Sequence, residues 1–385
     1  MAQVADTFGC RFVAGKITST AELRETGVFT IRPQSMRPSH LKVILDSEFS
    51  SAREGHHTPV MIWGPPGVGK SQLVATVADN HSVPLIDVRL SQLEPSDLRG
   101  IPFRTNDLVE WAIPGMLPNA ERHGEAGILF LDEITSATPA VSAAAYQLIL
   151  DRCLGDYRVP EGWVIFAAGN RQGDRGVTYS MPTPLANRFT HFSFDVNLDD
   201  WVLWAHQQQI DERVIAFLRF RPELLFDFDP ALDPVAFPTP RSWEFAHHAL
   251  KKFDTNAVIL ANALQACVGE AAGIELNAFI ENLDNLPDVE AIVAGDNVPV
   301  PQSIDLQYAL AASLVGCSVR VLDDEDCESK LGNILNFAAG FPQREMGVML
   351  VSDMHRAIGE KLFSLPQFKD WANQISDVLL YGEDG

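Results

Sequence analysis

The stretch Gly64, Pro65, Pro66, Gly67, Val68, Gly69, Lys70, Ser71 fits the spacing G-x-x-x-x-G-K-[ST]. Those residue types together suit one task, the holding of a polyphosphate. Glycines let consecutive backbone N–H groups curl round phosphate oxygens. Lys70 is placed to reach the β- and γ-phosphates, and the Ser71 hydroxyl to ligate Mg2+. Pro65 and Pro66 stiffen the bend. Further along, the apolar run 128–131 ends in Asp132 and Glu133. Asp132 is suited to hold Mg2+ through water, and Glu133 to polarise an attacking water as general base. Asn170 closes another apolar run, and its amide can both accept from and donate to a water and a γ-phosphate. Arg188 and Arg241 each offer a guanidinium, which stabilises charge spreading over a transferring phosphoryl group. Singly, the acid pair also reads as a solvated turn, Asn170 as a turn residue and the arginines as surface ion pairs. Their order along one chain carries more weight than any member.

A sheet must bring these side chains to one end. Val60–Trp63 reads as a strand running into the glycine loop. Lys70–Asn80 reads as the helix after it, with its positive end toward the same anion. Residues 84–90, 127–133, 163–170 and 188–194 are further strand candidates. Continuous apolar runs suit strands covered on both faces, and strands alternating with helices predict a parallel sheet in an α/β domain. The acid pair then emerges at a strand's carboxyl end, where open α/β sheets bind ligands. Ser39 is expected to cap a helix over 39–55, in which Leu41, Ile44 and Leu45 recur at helical spacing. After Asp195 only helices are expected: over 199–220, over 241–253, and to the end of the chain with a break near 285–303. Two hairpins are expected, one over 101–114 turning at Asn106-Asp107 and one over 153–160 turning at Gly155-Asp156. Each either contacts a client or extends the domain surface.

The 385 residues suffice for two or three domains. The net charge of −22 opposes a nucleic-acid partner. Residues 276–385 hold 18 Asp+Glu against six Lys+Arg, so more than half of the excess lies there. The acidic run 323–328 reads as a solvated loop, or alternatively as a docking patch for a basic partner. Cys10, Cys153, Cys267, Cys317 and Cys327 are scattered, with neither a disulfide framework nor zinc spacing. The N-terminus lacks the pattern of a secretory signal, and no apolar run is read as long enough to span a bilayer. A cytoplasmic protein without membrane insertion is expected. The pairs His56-His57 and His247-His248 are read as ordinary polar positions, since helix neighbours point apart. Trp201, Trp204 and Trp243 are read as core.

Phosphate loop, acidic strand end, strand-end Asn, Arg and a later Arg follow the motif order of the AAA+ ATPases. The chain resembles that superfamily, and within it the MoxR-like branch, on GPPGVGKS (64–71), LFLDE (129–133), AAGN (167–170), ANRF (186–189) and TPRSW (239–243). Residues 97–120 resemble the hairpin insert of that branch. The likeness spans roughly residues 40–265. It implies a P-loop AAA+ α/β domain with a parallel sheet sandwiched by helices (39–198) and an α-helical lid (199–275). It says little about the N-terminal segment of unknown role (1–38) or the C-terminal region (276–385), which reads as acidic and mostly helical from its own residues. It implies ATP and Mg2+, and a homo-hexameric ring with ATP between subunits. Arg188 would act in trans on the neighbour's γ-phosphate, with Arg171 and Arg175 as alternatives, and Arg241 in cis. The implied work is ATP hydrolysis that remodels or activates a protein client, often with a partner bearing a von Willebrand factor A domain. A nucleic-acid motor or loader and an ATP-dependent scaffold with little turnover are the other classes this core serves.

Overall fold

The computed structural model describes residues 34–52, 55–171, 174, 179, 181–229 and 234–379. The readings for residues 1–33, Cys10 among them, and for Arg175 lie outside the described residues. The strands are β1 (Gln34–Met36), β2 (Val60–Trp63), β3 (Leu85–Arg89), β4 (Ile101–Thr105), β5 (Leu108–Ala112), β6 (Ala126–Asp132), β7 (Cys153–Leu154), β8 (Tyr157–Arg158), β9 (Gly162–Gly169) and β10 (Thr190–Phe194). Six of them form one parallel sheet in the order β1-β10-β2-β9-β6-β3. The five strands expected in the sheet are all there. The sixth, β1, carries only Gln-Ser-Met and so has no apolar run to announce it.

Helices α1 (Pro38–Ala52) and α2 (Lys70–Asn80) cover one face of the sheet; α3 (Pro95–Arg99), α4 (Ala120–His123), α5 (Pro139–Asp151) and α6 (Thr183–Ala186) complete the domain. Alternate residues of β6 serve opposite layers, as strand geometry requires. Ile128 and Phe130 pack with Leu41, Leu45, Val74 and Val77. Leu129 and Leu131 pack with Val141, Ala145 and Leu148. This double coverage is why the run 128–131 is apolar throughout. Ser39 does not cap α1: the helix starts at Pro38, and the Ser39 N–H donates to Asp200 at 2.8 Å. Pro38 suits the first helical position because its missing N–H would have had no partner there.

His57 departs from the ordinary polar position expected of it. β9 starts before its first β2 partner, Phe166, and the Ile165 N–H donates to His57 Nε2 at 3.0 Å. Burial, with Arg152 nearby, lowers the His57 pKa to about 4. The unfolded chain protonates near 6.5 and the folded one does not until about 4. Stability is therefore full above pH 6.5 and falls as pH drops toward 4, by up to about 3 kcal/mol. His57→Gln, which keeps an acceptor, is expected to flatten that part of the urea-midpoint-versus-pH curve. Curves of equal slope for both proteins would refute the assignment.

The next helices are α7 (Leu198–Gln207), α8 (Glu212–Phe220), α9 (Pro240–Phe253), α10 (Ala257–Val268) and α11 (Glu270–Asn282). Their shared core holds Trp201, Phe217, Trp243, Leu250, Leu264, Leu276 and Phe279, with Trp204 packed against it. The division at 275/276 falls inside α11, whose Leu276 and Phe279 belong to this core. His247 is buried rather than an ordinary polar position, its Nδ1 accepting the Asp211 N–H at 2.9 Å.

The C-terminal region is α12 (Val289–Ala294), α13 (Ile304–Arg320), α14 (Cys327–Ala338), α15 (Arg344–Ile358) and α16 (Pro366–Leu379). The stretch expected to be a break thus includes the short α12. Contrary to the sequence reading, Ile304–Asp323 is long and apolar enough to cross a membrane by length and composition. Most of it is buried, however, with Leu310, Leu314 and Val315 in the C-terminal core. This region is locked onto α8: Arg219 donates to both carboxylate oxygens of Asp353 at 2.6 and 2.8 Å, and Arg219 and Asp353 are nearly buried. In the acidic run, Asp324 and Asp326 share Lys330 at 2.7 and 2.8 Å just ahead of α14.

The two hairpins differ. In β4–β5, with Asn106 at φ 57° in the turn, Ile101, Phe103, Leu108, Val109 and Trp111 are exposed. In β7–β8, Leu154 and Tyr157 are buried, and the Tyr157 hydroxyl donates to the Pro118 carbonyl at 2.7 Å. Only the first presents a large apolar surface.

Candidate functional site at the carboxyl end of the sheet

β2 ends at Trp63, and the chain turns through Gly64–Gly69 before α2 begins at Lys70. Gly67 and Gly69 have φ of 79° and 104°, a region where a side chain is strained. The loop is tied to the next strand by the Gly64 N–H, which donates to Gly169 O at 3.2 Å. Its concave side faces the N-terminus of α2, where free N–H groups and the helix dipole favour an anion.

Lys70 is buried beneath the loop. Its Nζ donates to Gly64 O and Pro65 O at 2.8 Å each and to Asn170 Oδ1 at 3.3 Å. Burial lowers its pKa to about 8; Asp132 and Asp174 oppose that shift, and Arg241 and Arg171 add to it. Two guanidiniums and two carboxylates therefore surround this one ammonium.

Ser71 Oγ donates to Asp132 Oδ2 at 2.8 Å, and Asp132 Oδ1 accepts the Glu133 N–H at 2.8 Å. Hard oxygen donors of this kind suit Mg2+, which takes one or two protein ligands and completes its shell with phosphate and water. Ser71 and Asp132 would hold it. Glu133 sits at φ 56°, unusual for a residue with a side chain. That turn sends its carboxylate to the Ser91 hydroxyl, which donates to Glu133 Oε2. Asn170 is positioned by Thr135: its N–H donates to Thr135 Oγ1 at 3.1 Å, and that hydroxyl donates to Asn170 O at 3.3 Å.

Arg241 reaches the same loop from α9. Its N–H donates to Gly67 O at 3.2 Å, and the added Cβ of a Gly67 substitution would meet Thr239 Oγ1 at 3.0 Å. Thr239 and Ser242 close a capping box that starts α9 at Pro240, which fixes Arg241 in the first turn. Arg188 is the candidate that the fold does not bring to this loop. It lies exposed on the turn after α6, with no side-chain partner among the described residues. Arg171 is held within its own subunit: its guanidinium donates to Ser193 Oγ and, at 3.5 Å, to Phe194 O.

Sequence reasoning missed Ser91, Thr135, Thr239 and Asp174. Ser91 directly follows a strand candidate, and Thr239 begins a Thr-Pro-x-Ser capping pattern, so both left a local signal. Thr135 and Asp174 left none, because their roles arise from packing across the sheet end.

Residues 60–194 match the family model for the ATPase family associated with various cellular activities. Midasin from Giardia intestinalis is 28% identical over 156 residues, 38% of this chain and 3% of midasin. The denitrification regulatory protein NirQ from Stutzerimonas stutzeri is 26% identical over 171 residues, 42% of this chain and 61% of NirQ. The chain thus spans less than two thirds of either relative. Among solved structures, a RuvB mutant from Thermotoga maritima aligns with TM-score 0.37 and 18% identity, covering 72% of this chain and 81% of that one. The matched segment runs from β2 to β10 and supplies the phosphate loop, the acid pair and Asn170.

Proposed function

We propose that this chain is a ring-forming, MoxR-like AAA+ ATPase that couples hydrolysis of ATP to the remodelling or activation of a protein client. The observation that carries the reading is the meeting of Lys70, Ser71, Asp132, Glu133 and Asn170 at one sheet end, with Arg241 delivered to Gly67 from a separate helical unit. ATP is the substrate. Loop N–H groups and Lys70 take its phosphates, and Mg2+ held by Ser71 and Asp132 would supply neutralisation of phosphate charge. Glu133 accepts a proton from the attacking water, and Asn170 orients that water against the γ-phosphate. Loss of the γ-phosphate removes contacts to Asn170 and Arg241, which shifts the balance between arrangements of the lid and the α/β domain.

Two features support work on a protein rather than on DNA or RNA. The chain is strongly acidic, and the exposed β4–β5 hairpin is apolar. A partner with a von Willebrand factor A domain and a hexameric ring belong to the same proposal. So does Arg188 as the trans residue: it is exposed, with no side-chain partner among the described residues, whereas Arg171 is tied to β10.

Mixing subunits tests the ring. Arg188→Ala and Lys70→Ala proteins are each expected to be nearly inactive. Mixed, they create sites with an intact loop facing an intact Arg188, and turnover is expected to recover to roughly a quarter of the parent's, one interface in four being complete. Mixtures no more active than either parent variant would refute the trans role.

A further inference from the structure

His191 belongs to neither the phosphate loop nor the acid pair, yet it bridges the two parts of the proposed machinery that serve different active sites. It lies on β10, beside β2, with Met61 as its register partner. Its Nδ1 receives the Trp63 Nε1–H at 2.9 Å. Its Nε2 lies 2.7 Å from the Ala186 carbonyl. An indole nitrogen only donates, so Nδ1 is the acceptor and the ring proton is on Nε2, donating to Ala186. The imidazole also stacks on Trp63 at 6.0 Å and leans on Phe189 at 6.1 Å. Both ring nitrogens are thus engaged.

The two ends of this bridge matter. Trp63 is the last residue of β2 and directly precedes Gly64. Ala186 is the last residue of α6, two positions before Arg188, and its carbonyl also receives the Phe189 N–H at 3.2 Å. The turn that displays Arg188 is therefore hung from the strand that leads into the subunit's own phosphate loop. Neighbours of Arg188 offer its side chain no other anchor among the described residues.

We propose that His191 is a positioning residue through which a subunit's own nucleotide site sets the reach of Arg188 toward the nucleotide of a second copy of this chain. This rests on the reading of Arg188 as the trans residue. A displacement of the Gly64 loop moves Trp63. The Trp63–His191–Ala186 chain of hydrogen bonds carries that displacement to the arginine turn.

The test is a double-mutant cycle on the assembled full-length protein. His191→Ala is expected to lower kcat about tenfold, the scale of a small misplacement of a reacting group. Affinity for a fluorescent ATP analogue should stay within about twofold, and cooperativity in ATP should fall to a Hill coefficient of one. Added to Arg188→Ala, His191→Ala should cost nothing further, since it acts through that arginine. Trp63→Phe keeps a smaller aromatic ring and removes the indole donor; it should move kcat and the Hill coefficient the same way. A full tenfold loss in the Arg188→Ala background, or unchanged cooperativity in both His191→Ala and Trp63→Phe, overturns the proposal. Parental turnover in Arg188→Ala alone would instead strike down the trans reading, and the proposal with it.

Discussion

Glu133→Gln is expected to reduce ATP turnover by about a hundred- to ten-thousandfold, the usual contribution of a general base, with ATP still bound. The amide is nearly isosteric but takes no proton from water. The substitution leaves the loop, Lys70 and the Ser71–Asp132 pair untouched. Glu133 lies at the edge of the site, with its backbone at φ 56° and its carboxylate on Ser91. Gln keeps a carbonyl oxygen for the Ser91 hydroxyl, so the turn should survive. Single-turnover hydrolysis and equilibrium binding separate the two effects. Wild-type turnover in Glu133→Gln would remove Glu133 from the chemistry. A loss of binding equal to the loss of turnover would make it a structural residue. Because the variant should hold ATP, affinity capture with it is also the direct route to a client.

Lys70→Ala should act on the other step. One charge-assisted hydrogen bond to a phosphate is worth about 1.5–3 kcal/mol, so ATP affinity should weaken by roughly 10- to 150-fold. The buried Lys70 adds a pH signature. With its pKa lowered to about 8, the ammonium is present below that pH and lost above it. A polyanion binds the protonated form, so wild-type affinity should be flat below about pH 7 and fall toward tenfold per unit above about pH 8. Lys70→Arg stays charged throughout and should lose that slope, whatever its affinity. Titration calorimetry between pH 6.5 and 9.5 reads both. A wild-type affinity that does not change over that range would mean that Lys70 does not face the phosphates.

The sheet was legible because its chemistry is local. The runs in β6 and β9 are apolar without alternation, which is the mark of strands buried on both faces, and Gly64–Ser71 stands between a strand and a helix as a phosphate loop must. Glu133, Asn170 and Lys70 were legible as strand-end and loop residues for the same reason. β1 was not, since three polar or flexible residues become a strand only by pairing with β10.

The phosphate loop, the acid pair and the order of the strand candidates could be read along the chain, because each depends on residues close together in it, and the acidic balance is a simple sum over residue types. The folded chain alone reveals that Ser91 restrains Glu133, that Thr135 sets Asn170, that Arg171 is occupied while Arg188 is exposed, and that His191 joins Trp63 to Ala186. Those relations link residues up to 128 positions apart. They exist because parallel strands, each returned by a crossover, lay distant segments side by side, and no spacing along the chain encodes which side chains then meet.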